Sequence, residues 1–220
     1  MNPPRSLVDV LKSMIERTYG LPAVIGELAP FIVVDQGYRM FYAEPDLEPE
    51  EAGARILVRD MGKPLRAALY CPDALVRHLE TFNPLKGLGD VNIEAFAVLV
   101  EEIDHILTLA SRASERRPIS LLELEHHANI TKYLAVMHFL GKQTGRRRVA
   151  EPLRQWARHH LFERYSGKQG ADEARYREAA RLACRYLRIL EALAPEDRRA
   201  EILTFHRRTI PEILRLVQNN

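Results

Sequence analysis

The chain has 220 residues, of which 46% are apolar and 28% charged, as is usual for a soluble globular protein with a sizeable core. It contains no run of 18 uninterrupted apolar residues and no apolar signal-peptide segment near its start. We therefore expect a cytoplasmic protein without a membrane span. Its two cysteines, Cys71 and Cys184, lie far apart without metal-type spacing, which favours reduced thiols.

Charge is distributed unevenly, although the net charge is only +2. Residues 141–220 contain 18 Lys and Arg against 10 Asp and Glu, so residues 1–140 carry a negative excess. A basic half can mark a nucleic-acid surface, but it can also dock on an acidic half or remain solvated. We favour docking or a solvated surface and rank nucleic-acid binding by residues 141–220 below them.

The N-terminal third predicts one helix and a small sheet. Apolar residues recur at helical spacing through residues 5–18, and Gly20 and Pro22 end this pattern. Short β-branched or aromatic runs then alternate with turn-forming segments, and their short connections favour antiparallel pairing. The three or four predicted strands are drawn from FIVVD (31–35), YRMFYAE (38–44), ARILVRD (54–60) and PLRAALYC (64–71).

The remainder of the chain predicts helices. A short helix over residues 72–83 begins at Pro72 or Asp73, and Asp90 and Ser120 are candidate N-caps of the next two helices. Pro211 should kink or end the last helix. The longer predicted helices span residues 90–112, 119–141, 149–167, 172–193 and 196–217.

Together these elements predict an α+β fold. An N-terminal helix and a small, mainly antiparallel sheet over residues 30–71 precede about six helices over residues 72–217. We expect an α+β region over residues 1–140 that contains a central helical hairpin. A basic helical region over residues 141–220 should pack on it as one globular unit, with the boundary at Gly141–Gly145.

Polar residues interrupt the apolar pattern of the helix predicted over residues 90–112. Glu102 and His105 lie on the flank of its apolar stripe and not on a broad solvated face. Burying a carboxylate or an imidazole without a partner is costly, so a cation, a metal or a hydrogen-bond network should lie beside them. Asp104 points away from the stripe and should be solvated.

The break SERRP (114–118) predicts an antiparallel hairpin with its midpoint near residues 115–116. His105 should then lie level with His126 and His127 of the segment ELEHH (123–127), and Glu102 should lie level with Asn129 or Ile130. Only one of the two adjacent histidines should face inward, because neighbouring residues diverge by about 100° around a helix.

The hairpin therefore brings carboxylates and imidazoles into one layer. Glu101 and His105 are four residues apart and share a helix face. Such a layer offers ligands suited to zinc first, and to manganese or iron next. Glu125 could instead be a surface carboxylate, and His105 a core histidine paired with Glu101 or Glu102. Glu123 stands three residues after Ser120, at capping-box spacing.

The stretch EEIDH (101–105) resembles the H-E-x-x-H helix motif of the zincin metallopeptidases, with Glu101 in place of the first histidine. On this resemblance, Glu102 corresponds to the general base and His105 to the second metal ligand. Glu125, twenty residues after His105, corresponds to the glutamate that the gluzincin branch takes from a following helix. The resemblance covers residues 63–130 and implies that residues 64–71 form an edge strand beside the cleft.

Glutamate at position 101 departs from the zincin motif, because it changes the charge and geometry of a site built for two neutral imidazoles. It implies an altered metal preference or a zincin-like scaffold without peptidase activity. The strings Glu102…His105 and Glu123…His126 also resemble the carboxylate-bridged di-metal four-helix bundles. We rank that resemblance lower, because the later helices offer no clear inward-facing pair of carboxylates.

Two functional hypotheses follow from these patterns. In the first, the chain is a metal-dependent hydrolase in which Glu101, His105, Glu125 and His126 bind the metal and Glu102 accepts a proton from metal-bound water. In the second, it is a non-catalytic interaction or regulatory protein whose Glu/His layer is a buried structural network. Its helical half would then bind a protein partner or a second copy of the chain.

Overall fold

The computed structural model describes residues 6–42, 53–59, 66–146, 148–163 and 171–218. Within these ranges the chain forms nine α-helices and three strands, which confirms the α+β class with a helical majority. The strands are β1 (Ile32–Val33), β2 (Arg55–Arg59) and β3 (Arg66–Tyr70). The helices are α1 (Leu7–Tyr19), α2 (Asp35–Phe41), α3 (Asp73–Thr81), α4 (Ile93–Ser114), α5 (Leu121–Thr144), α6 (Glu151–Arg158), α7 (Ala171–Ala192), α8 (Pro195–Phe205) and α9 (Ile210–Gln218).

The sheet has the strand order β1-β3-β2. β2 and β3 pair in an antiparallel manner over five residue pairs, whereas β1 pairs with β3 in parallel over two. The sheet is therefore mainly antiparallel, as expected, with one short parallel pair added. β3 is its central strand, so the expectation that residues 64–71 form an edge strand is wrong.

One predicted strand is a helix. The aromatic run over residues 38–44 belongs to α2 as far as Phe41, and residues 43–44 lie outside the described residues. The Tyr38 ring stacks on Tyr70 of β3 at 4.4 Å, and Asp35 accepts a hydrogen bond of 2.8 Å from the Tyr70 hydroxyl. These tertiary contacts outweigh the β propensity of the aromatic side chains.

The predicted hairpin is formed by α4 and α5, which pack against each other in antiparallel orientation. The Ser120 hydroxyl accepts the Glu123 backbone N–H, and the Glu123 carboxylate accepts that of Ser120, so the capping box is confirmed. The cap predicted for α4 is wrong, because its N-cap is Asn92. Asp90 instead accepts a hydrogen bond of 2.7 Å from the Trp156 indole, a tertiary contact that local sequence does not reveal.

α5 is the central helix of the fold, with α1, α4, α6 and α7 all packed against it. Buried residues occupy most of its length from Leu124 to Leu140. One hydrophobic cluster joins residues from α1, β3, the α4–α5 hairpin and the C-terminal helices. A helix enclosed on several sides buries polar residues on more than one face, and for this reason both His126 and His127 are buried.

The last predicted helix is two helices. α8 ends at Phe205 and α9 begins at Ile210, with Pro211 in its first turn. A proline ring clashes with the carbonyl four residues earlier, here that of Arg207, so a straight helix cannot pass through this point. A different irregularity follows α6, which ends at Arg158 and continues as a π-helical turn, His159–Glu163. Among the helices described, none is long and apolar enough to cross a membrane.

Candidate metal centre

α4 carries a continuous polar segment into the interior. Glu102 and His105 are each 6% exposed, and Asp104 is fully buried. The same helix contributes Phe96, Ile103 and Ile106 to the hydrophobic core around them. The partners expected from the cost of burying such groups come from α5, where Glu125 lies beside His105 and His127 donates to Asp104.

Three side chains form a group that could hold a metal ion. Ligand atoms of Glu101, His105 and Glu125 all lie within 4.8 Å of one another. The His105 Nε2 atom lies 3.8 Å from Glu125 Oε2, and it has no hydrogen-bond partner among the described residues. Around a tetrahedral zinc ion, ligand atoms stand about 3.4 Å apart, so the group needs to contract by at most about 1.5 Å.

The imidazole of His105 is held from its other side by Glu102, whose Oε2 lies 3.7 Å from Nδ1. Burial disfavours the charged ring, but the contact with Glu102 and the charges of Glu101 and Glu125 prevail and raise the pKa of His105 above its usual value. His105 therefore lies in a strongly negative environment, which is the electrostatic setting that a cation requires.

Side chains of α5 and α7 hold the carboxylates. The Lys132 ammonium of α5 donates a hydrogen bond of 2.5 Å to Glu101 Oε2. Tyr176 of α7 hydrogen-bonds to Glu125, and burial together with this carboxylate raises the pKa of the phenol. Neither Lys132 nor Tyr176 was predicted from the sequence, because both interactions join residues distant in the chain.

His126 does not belong to this group. Its ring lies on another face of α5, 5.5 Å from the ring of Phe205 and 6.0 Å from that of Tyr186. Burial, with a smaller contribution from His127, lowers the pKa of His126 to about 3. Both adjacent histidines are buried, at 1% and 4% exposure, so the expectation that one faces outward is wrong. The packing of α8 against the helical core explains this, since Phe205 covers both rings.

Asp104 anchors a second buried polar network, and the expectation that it is solvated is wrong. It accepts hydrogen bonds from His127 Nδ1 at 2.8 Å and from the Thr131 hydroxyl at 2.7 Å. Tyr19 of α1 contacts Thr131 at 2.7 Å, so the network joins three helices. α1 lies against the α4 face that appeared free in the local sequence pattern.

The network continues to the far end of the chain. His127 Nε2 lies 3.2 Å from Nδ1 of His206, and His206 Nε2 lies 3.1 Å from the Ser111 hydroxyl. If His127 Nδ1 donates to Asp104, then His206 Nδ1 donates to His127 Nε2 and the Ser111 hydroxyl donates to His206 Nε2. Each ring nitrogen then has one hydrogen-bond partner of the correct kind. The members are nearly completely buried, and Ser111 is only 1% exposed. This arrangement is suited to joining α8 to the hairpin.

Glu123 does not have the metal-binding role that the resemblance to the di-metal four-helix bundles implies. Its carboxylate is committed to the Ser120 cap and to the backbone of Ile210. The Glu123…His126 string therefore does not place two ligands beside Glu102…His105. Scans against protein-family models, curated proteins and solved structures found no match to the chain.

Proposed function

We propose that Glu101, His105 and Glu125 bind a divalent transition metal, zinc first and manganese or iron next, and that this metal activates water for hydrolysis. The observation that carries the proposal is the buried His105 Nε2, which faces two carboxylates and has no hydrogen-bond partner among the described residues. Buried polar atoms are normally satisfied, and a metal ion would satisfy this one.

The charge of the site supports a divalent ion. With a neutral His105, the carboxylates of Glu101, Glu102 and Glu125 and the Lys132 ammonium together carry a net charge of −2. One imidazole and two carboxylates form a mixed nitrogen and oxygen ligand set, which suits zinc, iron and manganese. A bound ion would supply a Lewis acid that lowers the pKa of coordinated water.

Two alternative roles are open to Glu102 at this site. The zincin resemblance makes it the general base that accepts a proton from the activated water. Its position beside His105 Nδ1 favours a positioning role, in which the carboxylate orients the ring and directs Nε2 towards the metal. We propose the positioning role and retain the base as the alternative outcome of the test below.

Metal content tests the centre directly. Protein expressed with added zinc, manganese and iron, and then dialysed, should contain about one metal per chain by inductively coupled plasma mass spectrometry. His105→Ala and Glu125→Gln should lose it, whereas His159→Ala, which removes an exposed histidine, should retain it. Wild-type protein without stoichiometric metal would refute the proposal.

The Glu102→Gln variant distinguishes the positioning role of Glu102 from the role of general base. If Glu102 positions the ring, this variant should bind the metal roughly 10- to 100-fold more weakly than the wild type in a chelator competition assay. Unchanged metal affinity, together with loss of the metal-dependent hydrolysis of p-nitrophenyl phosphate or p-nitrophenyl acetate, would assign the general base to Glu102 instead.

A second candidate function is a non-catalytic interaction or regulatory protein, and the Lys132–Glu101 ion pair favours it. This ammonium already neutralises one proposed ligand, as expected in a purely structural layer. Such a protein would bind no metal, and its Glu101→Gln variant would lose stability without any change in metal content.

A further inference from the structure

A cleft of about 460 Å³ opens beside the proposed metal ligands, between α7, α5 and the end of α6. Its volume falls within the range of about 300–1,000 Å³ that is typical of small-molecule sites. Its lining includes Lys132, the partner of Glu101, and Tyr176, the partner of Glu125. The cleft and the metal-binding group are therefore separated by single side chains.

The lining of the cleft is strongly cationic. Five arginines and one lysine outnumber two glutamates, Glu163 and Glu173. The cations are Lys132, Arg158, Arg177, Arg181, Arg185 and Arg188. Positive charge is therefore concentrated in the lining of the cleft, although the whole chain carries a net charge of only +2.

Four of these arginines form a stripe on α7, spaced by four, four and three residues from Arg177 to Arg188. Like charges at such spacings repel one another, so this pattern is unfavourable for a helix face that is merely solvated. Glu173 and Glu178 pair with the first two, whereas Arg185 and Arg188 have no ion-pair partner in the part of the chain described. Both are exposed and available to an anion.

The π-helical turn adds an apolar surface to the lining. Leu161 and Phe162 of this turn line the cleft, and the Phe162 ring is half-buried against Tyr133. At 1.5 Å per residue, the arginine stripe extends about 16 Å, which is longer than one phosphate group requires. A ligand that matches both the arginine stripe and this apolar surface carries several anionic groups and an apolar or aromatic portion.

We propose that this cleft binds a small organic phosphate, of the size of a nucleoside di- or triphosphate, with its phosphates on the α7 arginines and its organic portion against Phe162. Guanidinium groups bind phosphate oxygens through two parallel hydrogen bonds, and a row of four arginines favours a ligand with several linked anionic groups over a single carboxylate. The proposal deepens the proposed function by naming the ligand class beside that metal centre, and rests on that function for this connection alone.

Isothermal titration calorimetry on chelator-treated, metal-free protein tests the cleft independently of the metal. ATP and inorganic pyrophosphate should bind, and adenosine should bind at least tenfold more weakly than ATP. The double variant Arg185→Gln/Arg188→Gln should weaken ATP binding by about 100-fold, since each lost charged contact accounts for about tenfold. Arg199→Gln, which removes an exposed arginine of α8, is the control and should leave the affinity unchanged.

Several results would overturn the assignment. They are equal affinity for ATP and adenosine, unchanged affinity in the double variant with intact circular dichroism, or equal displacement of ATP by sulfate at matched ionic strength. Tighter binding of a single-stranded oligonucleotide than of ATP would instead assign the stripe to nucleic acid. ATP binding in a protein that takes up no metal would uphold this inference while refuting the proposed metal centre.

Discussion

His206 should make the stability of the fold sensitive to acid. Its ring is 3% exposed and lies between His127 and Ser111. Burial, together with the neighbouring His127 and the charge of Arg112, lowers the pKa of His206 to about 3. The folded protein therefore keeps this ring neutral, whereas the unfolded chain takes up a proton near the usual pKa of about 6.5.

The sign of the effect follows from this difference in proton uptake. The neutral ring is compatible with folding above pH 6.5, and stability is lost as the pH falls from 6.5 towards 3. Lowering the pH from 7 to 5 should cost about 2 kcal/mol through His206, since each pH unit below 6.5 costs about 1.4 kcal/mol. His126 adds a loss of the same sign, because its pKa is also lowered to about 3.

Urea unfolding of the wild type and of His206→Gln, each at pH 7 and pH 5, isolates this contribution. The glutamine variant should be less stable at pH 7 but should lose about 2 kcal/mol less than the wild type on acidification. Ser111→Ala is the matched control, because it removes the hydrogen bond to the ring but leaves the titrating group. Equal losses in the wild type and His206→Gln would refute the assignment of a buried neutral imidazole.

Three further predictions concern other parts of the fold. Zinc at 100 times its dissociation constant should add about 2.7 kcal/mol of stability and raise Tm by roughly 5–10 °C in differential scanning calorimetry, with no shift in His105→Ala. Asp104→Ala should cost about 3 kcal/mol in urea unfolding, because His127 and Thr131 then lose a buried acceptor; a cost below 1 kcal/mol would contradict its anchoring role. Ser120→Ala should cost about 1 kcal/mol by the same assay through loss of the capping box, and a variant as stable as the wild type would argue against it.

Local patterns were sufficient for most of the helical half. Helical periodicity predicted α3, α4, α5 and α7 with small errors at their ends, because such periodicity depends on neighbours within one or two turns. The break at residues 114–118 predicted the hairpin for the same reason, since a short connection leaves few alternatives to antiparallel packing. The same local spacings predicted one layer for Glu101, His105 and Glu125, and the structure places these residues together.

The errors occur where a distant element decides the environment. The aromatic run after Gly37 has strand propensity, but its stacking on β3 keeps it helical. Asp104 looked solvated because the pattern of α4 alone does not reveal that α1 covers its polar face. Pro211 correctly marked a break in the last helix, although the break precedes the proline.

The sequence by itself determined most of the helices, the capping box at Ser120, the hairpin and the shared layer of Glu101, His105 and Glu125, because these depend on spacings within a helix or across one short turn. Only the tertiary structure decided that His126 lies outside this layer, that Lys132 and Tyr176 hold its carboxylates, and that an arginine-lined cleft opens beside it. Those features arise where α5 is enclosed by α4, α6, α7 and α8. The directions from which helices approach one another are set by packing of the whole core, which no local spacing encodes.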